Sequence, residues 1–246
     1  MVKQSKTNAT VDEAWKLFEK NRFDEALDMF DTILDKGTSH AASYGKACAL
    51  FRTTDLEGAL AELSALLKAD ANNPAYRHTR ALVYGAAEQY DKALKDFQKL
   101  LEVQGDNGEA WCDLGGLYLI LEDIAGAKNC FERSADIDKS CACAWFGKGV
   151  VALHSREYKK ALEYLNIAIK LDSKHSLAFM ARAEAAFGSR LKKEALKDVV
   201  KALSLDKDFF EDFRSLLPQK EVDEDNDSAE DTKSTDLDDE DALEIY

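Results

Sequence analysis

Proline is nearly missing from this chain, with two residues in 246, and glycine is sparse at 12. An all-β chain draws on both for its many turns, so their scarcity points to helices joined by short links. No run of 18 or more apolar residues occurs, so no segment reads as a membrane-spanning helix and no membrane insertion is expected. Residues 1–10 are polar and lack the apolar stretch of a secretory signal, and a cytoplasmic protein is expected. The five cysteines are an odd number, and Cys141 and Cys143 have no second close pair to complete four metal ligands. Free thiols in a reducing compartment and no metal are the expectation. A basic stripe is also absent. Residues 219–246 carry 13 acidic and 2 basic side chains, a net of −11, and leave −3 of the total −14 for the rest. The body therefore offers no concentrated basic surface to neutralise phosphates, and no nucleic-acid partner is expected for it.

What is present is a repeat. Alanine recurs at Ala26, Ala59, Ala93, Ala127, Ala161 and Ala195, at intervals of 33, 34, 34, 34 and 34 residues. Twelve residues before each stands another very small residue: Ala14, Ala47, Ala81, Gly115, Gly149 and Ala183. Four residues after each stands a large apolar one: Phe30, Leu63, Phe97, Phe131, Leu165 and Val199. Within each unit the apolar residues follow helical spacing, broken once by a turn. Small residues belong where two helices approach closely, and the large column fills the gap against the next hairpin. One hairpin cannot bury its own apolar face, so the units must stack.

These columns resemble the tetratricopeptide repeat. The unit at 108–141 carries Trp111, Leu114, Gly115, Tyr118, Ala127 and Phe131 at that family's spacing, and the next keeps Trp145, Gly149, Tyr158 and Ala161. The customary proline between repeats is missing, and Lys192 stands where an apolar residue is usual. The resemblance implies an all-α fold, a right-handed α-solenoid of stacked antiparallel hairpins. Six units are expected at 7–39, 40–73, 74–107, 108–141, 142–175 and 176–209. Thr10 with Glu13 forms a capping-box pattern that predicts a helix start there, after a flexible leader over 1–9. Asn73 before Pro74 predicts a second capped start. Phe209, Phe210, Phe213, Leu216 and Leu217 predict a capping helix over 208–218, ended by Pro218. Residues 219–246 carry too much like charge to fold alone, and a disordered acidic tail is expected.

Family geometry places the first helix of each hairpin on the inside of the superhelix. The resemblance thus implies a partner-binding groove lined by Trp15 and Phe18, Tyr44 and Phe51, His78 and Leu82, then Cys112, Asp113 and Leu119, Phe146 and Val150, and Met180, Glu184 and Phe187. Large apolar residues on a surface mark a contact site. Gly45, Gly85, Gly116 and Gly147 would leave notches between them. The same spacing also suits residues that pack between helices, above all Phe18, Phe51 and Leu153. Asp12, Glu19, Asp113 and Glu184 favour lysine or arginine in the bound segment.

A scaffold or adaptor, co-chaperone-like and without catalysis, is the function this implies. Its partner would be a protein or peptide segment, with self-assembly or an accessory role in an enzyme complex as alternatives. Members that grip the C-terminal carboxylate of heat-shock chaperones use lysine and asparagine at fixed groove positions. Here those places hold residues such as Val11, Trp15, Gly45 and Thr79, or Tyr44, Cys48, Glu109 and Asp113, so no carboxylate clamp is expected. The four histidines fall in different hairpins without a nucleophile beside them, and no phosphate-cradling loop occurs, so neither catalytic residues nor a cofactor are expected.

Overall fold

The computed structural model describes residues 2–206, with side chains from Thr10 onward. Among the described residues there are twelve helices and no strand. They are α1 (Val2–Glu19), α2 (Phe23–Leu34), α3 (His40–Arg52), α4 (Leu56–Ala69), α5 (Pro74–Ala86), α6 (Tyr90–Val103), α7 (Gly108–Ile120), α8 (Ile124–Ile137), α9 (Ala142–His154), α10 (Tyr158–Leu171), α11 (Ser176–Gly188) and α12 (Lys192–Leu205). Each odd helix pairs with the even one after it, and the hairpins stack in chain order into an α-solenoid. The expected capping helix at 208–218 and the acidic segment at 219–246 lie outside the described residues.

The columns explain the stacking. Ala14, Ala47, Ala81, Ala26, Ala59, Ala93, Ala127 and Ala161 have no exposed surface at all. A Cβ on Gly115 would stand 2.8 Å from the Phe131 ring, and one on Gly149 would stand 2.6 Å from Leu165. Phe131 thus presses on its own hairpin at Gly115 and on the next hairpin at Gly147. Phe30, Phe97, Leu63 and Leu165 are the large side chains of this column that are sealed completely. Burial of each is worth about 1.5–3 kcal/mol, so most of the stability comes from these inter-helix layers.

The links are as regular as the core. Asp55, Asn73, Asn107 and Asp123 cap their helices by accepting hydrogen bonds from Gly58, Tyr76, Ala110 and Gly126 N–H groups at 2.9–3.3 Å. Inside every hairpin one residue takes a positive φ: Asn21, Thr54, Glu88, Glu122, Arg156 and Arg190, with φ between 55° and 66°. In each case the following N–H donates to a carbonyl five residues back at 2.8–3.0 Å, as between Asp55 and Leu50. This left-handed closure satisfies carbonyls that a helix end otherwise leaves open. Glycine is the usual residue there, and its absence left the turn's left-handed conformation without a signal in the sequence.

Helix α1 begins at Val2, so Thr10, expected as a helix start, lies inside it. No proline or glycine stands before Thr10 to stop the helix from extending backwards.

A buried ionic layer was not anticipated either. Asp96, only 4% exposed, accepts from Arg80 Nε and Nη2 at 2.6 and 2.9 Å and from Arg77 Nη1 at 3.3 Å. Asp198 accepts from Arg182 Nε and Nη2 at 2.7 and 2.6 Å, at the same sixteen-residue spacing. Lys46 meets Glu62 at that spacing too, at 3.2 Å. The corresponding positions of the fourth hairpin are Leu114 and Cys130, both buried in one apolar cluster. An ionic pair has been exchanged whole for an apolar one, which avoids leaving a buried charge unpaired.

Candidate functional site

The first helices of the third to fifth hairpins, α5, α7 and α9, enclose a hollow of about 340 Å3. Leu82, Gly85 and Ala86 close it on one side, and Phe146, Gly147 and Cys143 on the other. Asp113, Gly116, Leu119 and Ile120 form the middle, with Phe97 and Phe131 beneath. Five of the fourteen expected groove residues meet here: Leu82, Cys112, Asp113, Leu119 and Phe146. Asp113 brings the one carboxylate in the lining, and its Oδ2 lies 2.7 Å from His78 Nε2. His78 is thereby attached to the same site through Asp113.

The first two hairpins behave differently. Trp15 lies edge-on to Phe18 and Phe30 with ring centroids 5.3 and 5.6 Å apart, and Phe18 packs on Phe23 at 5.1 Å. Tyr44 stacks against Tyr76 at 5.2 Å, and its hydroxyl is 2.9 Å from Thr79 Oγ1. Burial pushes the Tyr44 hydroxyl up to about 12, and the Cys48 thiol up to about 11. Phe51 is half-buried against the cluster around Leu50 and Leu63. These four half-buried aromatics pack on neighbouring helices. At the other end Val150 and Met180 are half-buried, Glu184 is exposed, and Phe187 is 68% exposed.

Two expectations are corrected. Cys112 is not a free thiol: it is buried and bridged to Cys143, with the two Cα atoms 6.6 Å apart. The separation of 31 residues puts Cys143 one turn away from the equivalent of Cys112 on the next first helix. That offset was readable once the 34-residue register was known. Cys48, Cys130 and Cys141 remain free. Of the four expected notches, Gly45 and Gly147 are closed, because a Cβ there would overlap the rings of Phe30 and Phe131. Gly85 and Gly116 are open, with no atom within 4 Å of a Cβ position.

Ile120, expected on the groove face, is 62% accessible. A second hollow of about 240 Å3 was unanticipated; it lies between α8, α9 and α10 where Lys128, Lys148 and Lys160 meet Glu132 and Glu157. There Lys160 pairs with Glu157 at 2.6 Å, and Lys148 sits over the rings of Trp145 and Tyr164. Among the described residues no group of three or more histidine, cysteine or acidic side chains could hold a metal ion. Nor is any helix among them long and apolar enough to cross a membrane.

Stacked hairpins with a side-chain-lined hollow along their first helices define a helical-repeat scaffold. The sequence profile of the tetratricopeptide repeat matches residues 11–74, 78–128 and 121–176, and the chain belongs to that family. Tetratricopeptide repeat protein 13 of Homo sapiens is 28% identical over 170 residues, which cover 67% of this chain and 20% of that protein. Anaphase-promoting complex subunit 3 of Schizosaccharomyces pombe is 33% identical over 101 residues, 41% of this chain and 15% of that protein. The chain thus spans a fifth or less of these relatives. The crystal structure of the APC/C hetero-tetramer Cut9–Hcn1 superposes with a TM-score of 0.76 at 14% identity, over 85% of this chain and 42% of that one, a likeness of fold. Repeats of this family generally mediate protein–protein interaction, and their proteins are typically scaffolds without catalysis.

Proposed function

We propose that the face formed by the first helices is a docking groove for an apolar segment of another protein, with lysine or arginine favoured in that segment. The hollow between α5, α7 and α9 carries this reading, because it is apolar, open to an approaching chain, and edged by a single carboxylate. Exposed Phe187 extends the apolar surface beyond it. Binding rather than catalysis is the work this surface suits. The Cys112–Cys143 bridge argues against carrying the expected cytoplasmic location into the proposal, since disulfides persist in oxidising compartments.

Ile120→Asp combined with Phe187→Asp tests the groove, because both side chains are exposed and their loss leaves the core intact. Affinity capture with the purified chain should retain partners that the double variant loses by tenfold or more. Equal recovery of the same partners by a folded double variant would move recognition off this face. The likeness to a subunit of the anaphase-promoting complex supports a second reading, in which the chain is a building block of a larger assembly. Sedimentation of the purified chain tests the self-assembling form of that reading: a monomer rules it out and leaves association with a different protein.

A further inference from the structure

Beyond the first turns of their helices, the glycines divide into two kinds. At Gly45, Gly115, Gly147, Gly149 and Gly188 a Cβ would run into a side chain, so packing demands glycine. Gly85 and Gly116 lie within α5 and α7 where a Cβ would meet nothing. Glycine is among the least favourable residues for a helix interior, and here no contact offsets that cost. The repeat shows what has been omitted. Phe18, Phe51, Leu119, Leu153 and Phe187 take the place of Gly85 in the other hairpins. Trp15, Cys48, Leu82 and Val150 take that of Gly116, with Glu184 in the sixth. Two side chains that nearly every other hairpin supplies are missing from adjacent first helices, and the hollow lies where they would have been.

Resting on the groove reading above, we infer that Gly85 and Gly116 form a specificity pocket that takes a bulky aliphatic or aromatic side chain of a partner segment, with a basic residue of that segment beside it. The volume of about 340 Å3 is at the low end of ligand pockets, a scale of side chains rather than whole helices. Apolar walls from Leu82, Leu119, Ile120 and Phe146 set the class of side chain. Asp113 sets the charge beside it, since no lysine or arginine lines the hollow. The same carboxylate disfavours residues 219–246, whose net charge is −11, as the occupant.

The test is selection of a random dodecapeptide library on the full chain, with recovered peptides measured against variants by fluorescence anisotropy. The expected consensus is a large apolar residue with lysine or arginine within a few positions. Gly116→Leu and Gly85→Leu, which fill the hollow from a position where a Cβ meets no atom, should each weaken such peptides about ten- to a hundredfold. Gly116→Ala, too small to fill it, should leave affinity within about threefold, and Asp113→Asn should lower it with a shallower salt dependence. If both leucine variants bind as tightly as wild type while Ile120→Asp with Phe187→Asp abolishes binding, the pocket is refuted and the groove stands. If no recovered peptide responds to any of these substitutions, both readings fall.

Discussion

Alanine at Gly147 and alanine at Gly116 should move stability in opposite directions. Both glycines lie inside first helices of adjacent hairpins, so each substitution gains the same helix propensity, about 0.8–1 kcal/mol. At Gly116 nothing opposes the gain, and the variant should be more stable by about that amount. At Gly147 the new Cβ would stand closer than 3.0 Å to three ring carbons of Phe131, itself only 3% exposed and held against Gly115 on its other side. The ring cannot retreat without pressing on its own hairpin, so the overlap should cost about 1–3 kcal/mol. The propensity term cancels between the two variants, and the difference of about 1–3 kcal/mol reports the overlap alone. Urea midpoints followed by far-ultraviolet circular dichroism would measure it. Amide exchange in α7 and α9 would show whether the change is local, since repeat arrays do not always unfold as one unit. Equal shifts of the same sign would mean that Phe131 does not fill the space at Gly147, and the stacking described here would be wrong.

Two further outcomes follow from the sulfur and phenol groups. The Cys112–Cys143 bridge closes 31 residues, for which chain entropy gives about 3–4 kcal/mol, so dithiothreitol should lower the urea midpoint of wild type and leave Cys112→Ser unaffected; alkylation of the unreduced, denatured chain should modify three cysteines, and five would refute the bridge. The Cys48 thiol is pushed up to about 11 from 9 and the Tyr44 hydroxyl up to about 12 from 10, so both stay protonated in the fold where the unfolded chain has already ionised. Their stabilising effect is intact below pH 9 and is lost as pH rises towards 11 and 12, at about 1 kcal/mol per pH unit for each group. Thermal melts between pH 8 and 11 should show a steeper fall for wild type than for Cys48→Ala, and parallel curves would count against burial as the cause.

The fold was legible because its constraints on volume recur. Ala26 and its equivalents must be small, and Phe30 and its equivalents large, in every hairpin, so the columns stand out against any background. Constraints met by conformation or by exchange of partners left no such trace. The left-handed turn at Thr54, Glu122 and Arg156 uses residues with no preference for that conformation, because backbone hydrogen bonds impose it. The ionic layer reads Lys46–Glu62, Arg80–Asp96 and Arg182–Asp198, but lapses to Leu114–Cys130 between them, so charge alone shows no period. Trp15 and Tyr44 were placed correctly on first helices, yet a helical stripe does not tell a ring that faces a partner from one that faces the next helix.

Register narrows one of these ambiguities. Gly45 and Gly147 occupy one column, three periods apart, and each follows a hairpin whose large column holds phenylalanine, Phe30 and Phe131, to whose rings it gives room. Leu63 and Leu165 precede Thr79 and Ala181 in that column, but Phe97 precedes Asp113, so a ring in the large column does not by itself require glycine. Gly85 and Gly116 belong to two other columns, where no atom lies within 4 Å of a Cβ and most hairpins hold large residues. The same residue type is therefore a packing requirement in one column and an omission in the others. In a stack whose core positions are fixed by their neighbours, departures that relieve no clash are free to answer to something outside the chain. That makes Gly85 and Gly116, rather than the better-conforming Trp15 or Tyr44, the positions at which a partner's shape is best sought.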